Sequence, residues 1–117
     1  MSIDNVLASV AVKDMKTTSA WYARLLGRPA ESPMPELAEW RLPGGGCLQV
    51  YLLPERAGHG SFTLAVSDIE AETRKLEAMG VNTSQRSSSS GVKTVMVTDP
   101  DGNHIALSEA IDATPAR

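Results

Sequence analysis

Two histidines, several carboxylates and one cysteine are the side chains of this sequence that could bind a metal ion or transfer a proton. His104 follows the turn-forming stretch TDPDGN at residues 98–103 and starts an alternating run in which His104, Ala106 and Ser108 share one face of a strand. Imidazole titrates near neutral pH and is a common metal ligand. No carboxylate alternates with His104 on this face. The question is therefore whether the face is a metal-binding site that lacks its carboxylate ligand or a surface without a catalytic role.

Other polar candidates lie in two short strand-like runs. Gln49 and Tyr51 alternate with aliphatic residues, which favours them as polar lining of a site. Glu39 and Arg41 flank Trp40, so whichever face buries Trp40 directs both charges the other way. Whether that other face belongs to a site or is ordinary exposed surface stays open at this point.

Composition and charge exclude several classes of function. The chain of 117 residues carries 11 basic and 14 acidic residues without a basic cluster, which argues against nucleic acid and membrane surfaces as partners. No apolar run approaches the ~20 residues that cross a bilayer. Cys47 is the only cysteine, and the start of the chain lacks a signal-peptide pattern, so we expect a reduced cytoplasmic protein. No serine-nucleophile motif, phosphate-binding glycine loop or dinucleotide fingerprint is present.

The elements that must position these residues follow a pattern that occurs twice. Each half starts with an apolar strand, continues with a helix whose N-cap is Asp14 or Asp68, and ends that helix at Gly27 or Gly80. The two halves are offset by about 54 residues, which indicates an internal repeat. Each half is predicted to be a strand, a helix and then three strands, and neither half is long enough to sustain a core alone.

We expect a single domain with two modules and a short connection. The predicted bounds are 1–117 for the domain, 3–54 for module 1, 55–60 for the linker, 61–109 for module 2 and 110–117 for a tail. Residues 31–36 contain two prolines, and residues 84–91 (SQRSSSSG) have the composition of a loop.

Strand alternation separates the two faces of each predicted sheet. One row of alternate residues is large and aliphatic, as for Val6, Ala8, Val10 and Val12 in the first strand, and we expect these rows under the helices. The opposite rows are small and mildly polar, which suits the lining of a hollow. The predicted lining residues are Leu7, Ser9, Gln49, Tyr51, Ser61, Thr63, His104 and Ala106.

Four ordered features give the sequence a family resemblance. They are V-x-D before each helix (residues 12–14 and 66–68), the pair Trp21 and Tyr22, the LLG that ends the first helix, and DPDGN before the last strand. In this order and in a repeat, they resemble the vicinal oxygen chelate superfamily of glyoxalases, extradiol dioxygenases and bleomycin-resistance proteins. The resemblance implies an α+β fold in which two βαβββ modules form a curved mixed sheet around a cavity. It also implies a homodimer whose site draws one module from each chain.

The resemblance also identifies where a metal would be bound in catalytic relatives. The corresponding positions are Leu7, Gln49, Ser61 and Ala106. Hard and borderline cations are bound mainly by carboxylate and imidazole donors. Leu7 and Ala106 have no donor, Ser61 has a neutral hydroxyl and Gln49 offers one amide oxygen, so three of the four positions lack a competent ligand. We therefore expect no metal, no other cofactor and no catalytic residue.

The resulting functional prediction is metal-independent binding of a small, partly apolar molecule, in the manner of the bleomycin-resistance branch. One alternative is a metal-dependent lyase or dioxygenase whose ion is held by Gln49 and His104, with Glu39 as a further ligand. The other is a structural protein whose cavity is closed by its own side chains.

Overall fold

The computed structural model describes residues 2–31, 34–89 and 91–110. The chain divides into two compact units, each of which combines one helix with one sheet. The first contains Met1–Gly60 and Pro100–Asn103, and the second contains Ser61–Asp99 and His104–Arg117.

The first unit has a three-stranded sheet and one helix. In chain order its elements are β1 (Ala8–Val12), α1 (Met15–Leu26), β2 (Leu37–Arg41) and β3 (Cys47–Leu52), followed by a 3-10 turn at Pro54–Arg56. The strand order is β1-β3-β2. β3 is parallel to β1 and antiparallel to β2.

Local sequence signals fix both ends of α1. The Asp14 carboxylate accepts hydrogen bonds from the backbone N–H of Thr17 at 3.2 Å and from its hydroxyl at 3.1 Å. These bonds lower the pKa of Asp14, since they favour the charged carboxylate. Gly27 ends the helix with φ 80°, in the left-handed region where a side chain would add strain.

The core of the first unit lies between α1 and one face of the sheet. The rings of Tyr22 and Trp40 are 6.3 Å apart, and both side chains are fully buried. The indole N–H of Trp40 donates to the Arg28 carbonyl at 3.0 Å, so burial leaves no unpaired donor there. Other buried apolar side chains of this unit include Val10, Val12, Leu25, Leu48 and Val50.

The DPDGN turn is part of the first unit's framework. The buried amide of Asn103 accepts from the N–H groups of Gly58 (3.1 Å) and Gly60 (2.8 Å) and donates to the Ala11 carbonyl (3.0 Å). The Asp101 carboxylate accepts from the Lys13 N–H at 3.1 Å. The motif next to His104 therefore satisfies backbone groups of the first unit, which is a structural role.

The second unit has a four-stranded sheet and one helix. Its elements are β4 (Ser61–Ala65), α2 (Ile69–Ala78), β5 (Gln85–Ser89), β6 (Val92–Thr98) and β7 (His104–Ala110). The order is β4-β7-β6-β5, with β4 parallel to β7 and the other pairs antiparallel. Asp68 caps α2 by accepting from the Ala71 N–H at 3.1 Å, and Glu109 accepts from the Ile69 N–H at 2.7 Å. The buried apolar residues are Ile69, Leu76, Val95, Val97, Ile105 and Leu107.

The predicted α+β fold of βαβββ modules is confirmed, with corrections in detail. Residues 84–91 were predicted to be a loop, but Gln85–Ser89 forms β5 and pairs with β6 along its whole length. In the first module, the strand expected directly after the helix is reduced, among the described residues, to a bridge between Met34 and Leu37.

Two further expectations concern the ends of the chain. Val6 and Ala8 were expected under α1, yet both are exposed, and Ala11 of the opposite row is buried. Of the predicted tail, Ala110 ends β7, and residues 111–117 lie outside the described residues.

In the part of the chain that the structure describes, no helix is long and apolar enough to cross a membrane.

Candidate functional site

A hydrogen-bonded row of side chains crosses the first unit's sheet on the face opposite α1. Ser9, Gln49 and Glu39 are direct neighbours on β1, β3 and β2. The Ser9 hydroxyl donates to Gln49 Oε1 at 2.9 Å, and Gln49 Nε2 donates to Glu39 Oε2 at 2.8 Å. The row therefore has a direction, with its donors pointing toward the carboxylate. Both ends of the Gln49 amide are engaged within it.

A cavity of about 280 Å³ lies beside this row in the first unit. Leu7, Glu39, Arg41 and Cys47 are among its lining residues. Glu31 also lines it and holds its carboxylate in place by accepting from the Arg41 N–H at 2.8 Å and from Arg28 at 3.2 Å. The cavity thus combines two leucine side chains, Leu7 and Leu42, with two carboxylates and one guanidinium.

Cys47 lines this cavity beside the Glu39 carboxylate. Its burial and the neighbouring Glu39 carboxylate raise the pKa of the Cys47 thiol. Because the thiolate is the reactive form, the raised pKa leaves Cys47 a poor nucleophile at neutral pH. The geometry gives no reason to assign it a catalytic role.

The corresponding face of the second unit is built from short side chains. Ser61 is paired in register with His104, and Thr63 with Ala106. Ser61, Thr63 and His104 are exposed, and Ala106 is half-buried. These four positions face away from α2, since they alternate with residues of the buried apolar row.

β6 adds a second row to this face, which sequence analysis did not assign to the site. Thr98 is paired with His104, Met96 with Ala106, and Thr94 with Ser108. The hydroxyls of Thr94 and Ser108 are hydrogen-bonded at 3.2 Å. The signal was available in the sequence, because Thr94, Met96 and Thr98 alternate with the buried Val95 and Val97.

The side chains at the four metal-ligand positions of the superfamily do not fit a metal ion. Leu7 and Ala106 have no donor atom, Ser61 offers a neutral hydroxyl, and the Gln49 amide is already bonded at both ends. No group of three His, Cys, Asp or Glu side chains in residues 2–31, 34–89 and 91–110 has the arrangement to hold an ion. The alternative metal-ligand set consists of Gln49, His104 and Glu39. Within it, Gln49 Nε2 donates to Glu39 Oε2, so two of the three side chains already bind each other.

The predicted lining residues divide between the two units. Leu7, Ser9, Gln49 and Tyr51 belong to the first, and Ser61, Thr63, His104 and Ala106 to the second. Within each unit, the predicted residues on paired strands share one face. The direction of Glu39 and Arg41, which the sequence left open, is now given by the hydrogen-bonded row and the cavity.

The glyoxalase-like domain family matches residues 7–108. The chain therefore belongs to this family and to the vicinal oxygen chelate superfamily. No curated protein matches the sequence significantly.

Several solved structures are similar to this chain. A glyoxalase / bleomycin resistance protein from Catenulispora acidiphila is 37% identical, covers 90% of this chain and 96% of its own, and superposes with a TM-score of 0.79. The antibiotic binding protein TnmS3 from Streptomyces sp. CB03234 is 24% identical, covers 94% and 98%, and has a TM-score of 0.82. A lactoylglutathione lyase from Agrobacterium tumefaciens is 16% identical, covers 93% and 94%, and has a TM-score of 0.76. The last two likenesses bear on the fold alone.

Proposed function

We propose that this protein binds a small, partly apolar molecule on the helix-free faces of its sheets, without using a metal ion. The observation that carries the proposal is the set of side chains at the superfamily's metal-ligand positions, which are Leu7, Gln49, Ser61 and Ala106. The relative at 37% identity, described as a glyoxalase / bleomycin resistance protein, supports a binding function of this kind.

The first unit's face suits a ligand with an apolar body and hydrogen-bond donors. Leu7 is 43% exposed and provides apolar surface beside the polar row. The Ser9 oxygen and the second oxygen of Glu39 are acceptors, while Gln49 keeps one amide hydrogen for a ligand carbonyl. Burying 100 Å² of a ligand's apolar surface would contribute about 2.5 kcal/mol.

The second unit's face, taken by itself, suits an uncharged or weakly polar ligand. Its short side chains leave space, and Ser61 and Thr63 offer hydroxyls that can donate or accept. Met96, next to Ala106, is an adaptable apolar contact. His104 is the one ionisable residue among the four predicted lining positions of this unit.

Metal analysis distinguishes this proposal from the enzyme alternative. We expect protein purified without chelator to contain far less than one divalent ion per chain. Titration with nickel, zinc, manganese or iron should give no saturable heat in the wild type or in Gln49→Ala. Stoichiometric binding that is lost in Gln49→Ala would overturn metal independence and favour a lyase or dioxygenase.

A ligand screen distinguishes binding from a purely structural role. A compound that binds only the folded state raises the melting temperature by mass action. We expect hits in a panel of antibiotics and metabolites, and we expect Leu7→Glu to abolish their shift. The matched variant Met34→Glu, which changes an apolar residue with 54% exposure outside the site, should keep the shift. A panel without any hit would favour the structural alternative, in which the protein's own side chains close the cavity.

We also propose that the protein is a homodimer, as in the superfamily. Ile3 and Val6, just before β1, are 76% and 80% exposed, and β1 ends the order of its sheet. Exposed apolar side chains beside a strand edge are a liability that a partner surface removes.

A further inference from the structure

The second unit has a cavity of about 350 Å³ between its helix and its sheet. Thr94 lines this cavity and also belongs to the β6 row on the face proposed above for the ligand. It lies between the first turns of α2 and the strands β5 and β6. α2 packs on β6 and β7, whereas all five residues of β5 are exposed. The cavity thus exists because the helix does not cover the edge strand. Its volume is near the lower end of the range for small-molecule sites.

The floor of this cavity is apolar. Ile69 and Val95 line it and are only 2% and 4% exposed. Thr73 also lines it, and its hydroxyl is engaged with the Ile69 carbonyl at 2.7 Å. A ligand therefore meets hydrocarbon at the bottom, where burial of its own apolar part would be favourable.

The rim carries charges of both signs, and Glu109, whose carboxylate accepts from the Ile69 N–H, is the cross-strand neighbour of Lys93. Arg86 is held by the Thr83 carbonyl at 2.9 Å and by Glu77 at 3.4 Å, so its charge is already paired. Lys93 and Glu70 line the same cavity, and neither has an ion pair among the described residues, with each other or with any other group. A cation and an anion thus stand unpaired around one apolar floor.

We propose that this cavity binds a zwitterionic amino acid with an apolar side chain. The side chain would lie on Ile69 and Val95, the α-carboxylate would contact Lys93, and the α-ammonium group would contact Glu70. A ligand with both charges completes two ion pairs that the protein leaves open, whereas a singly charged ligand completes only one. This inference does not depend on the proposed function of the opposite face.

Three related probes separate the contributions of the two charges. They are L-phenylalanine, N-acetyl-L-phenylalanine, which keeps only the carboxylate, and L-phenylalaninamide, which keeps only the ammonium group. Each is titrated into the ¹⁵N-labelled full-length chain while backbone amide shifts are followed by NMR. We expect saturable shifts at Thr73, Lys93 and Val95, with L-phenylalanine binding most tightly.

Matched variants then test the two contacts. Lys93→Gln should weaken L-phenylalanine and the N-acetyl probe about five-fold, as the loss of a partly exposed ion pair predicts, and should leave the amide probe unchanged. Glu70→Gln should show the reverse pattern. Lys16→Gln and Glu55→Gln, which change the same residue types in the first unit, should alter none of the three affinities.

The melting temperature of each variant verifies that it is folded. Shifts that fail to saturate, or that map outside this cavity, would overturn the proposal. Equal losses of affinity for all three probes in both charge variants would also overturn the proposal. They would show that Lys93 does not bind the carboxylate and Glu70 does not bind the ammonium group.

Discussion

Asn103 is completely buried, and its side-chain amide uses both its oxygen and its nitrogen to satisfy backbone groups of the first unit. Replacing it by Asp puts an acceptor against the Ala11 carbonyl, and replacing it by Ala leaves the Gly58 and Gly60 N–H groups unpaired. We expect either variant to lose about 3 kcal/mol of unfolding free energy. Urea denaturation followed by circular dichroism measures this loss.

The control for Asn103 is Asn82→Ala. Asn82 is exposed, and among the described residues its side chain accepts from the nearby Ser84 N–H alone, so its loss should cost less than about 1 kcal/mol. Equal stability of the Asn103 and Asn82 variants would contradict the framework role of the DPDGN turn.

The same residues mark a limit of sequence analysis at this scale. DPDGN reads locally as a hairpin turn, and that local property is visible in the sequence. The partners of Asn103 are Ala11, Gly58 and Gly60, which are distant in sequence, so only the folded chain brings them together. Glu39 is a similar case, because strand alternation gave its face relative to Trp40 but not its hydrogen bond to Gln49.

At the scale of elements, the N-cap of α1 gives a prediction with a defined pH dependence. The folded state lowers the pKa of Asp14, so the carboxylate stabilises the fold fully above the ordinary aspartate value of about 3.9. This contribution is lost as the pH falls through the lower folded value. Asp14→Ala should therefore lower the melting temperature at pH 7, and its difference from the wild type should shrink below about pH 4.

Melting curves at pH 7, 5 and 3 test the cap, with Glu36→Ala as the control for removal of an acidic residue outside the helices. Glu36 is exposed, and its side chain has no hydrogen bond or ion pair among the described residues, so its removal should leave the melting temperature close to that of the wild type. A difference for Asp14→Ala that stays constant down to pH 3 would be inconsistent with a charged cap.

Helices were easier to predict than strands for a physical reason. Asp14, Gly27, Asp68 and Gly80 act locally, through caps and backbone conformation. β5 has no such signal, because QRSSS is exposed on both faces and therefore shows no apolar alternation. Its extended conformation is imposed by pairing with β6, a tertiary interaction that overrides the loop-like composition of the segment.

At the scale of the whole molecule, the proposed homodimer predicts how mass and stability respond to surface charge. Ile3 and Val6 are the most exposed large apolar side chains among the described residues, and burying them against a second copy would favour association. We expect light scattering after size exclusion to give twice the mass of one chain. The melting temperature should rise with protein concentration, since association stabilises only the folded state.

The variants Ile3→Glu and Val6→Glu should shift the mass to that of one chain, because each would place a carboxylate in an apolar contact without a partner charge. Met34→Glu adds the same charge at a position that is 54% exposed and away from β1, and it should remain dimeric. A wild-type mass of one chain at every concentration tested would contradict the proposed homodimer. If both glutamate variants remain dimeric, the interface lies elsewhere, because the dimer then tolerates a charge just before β1.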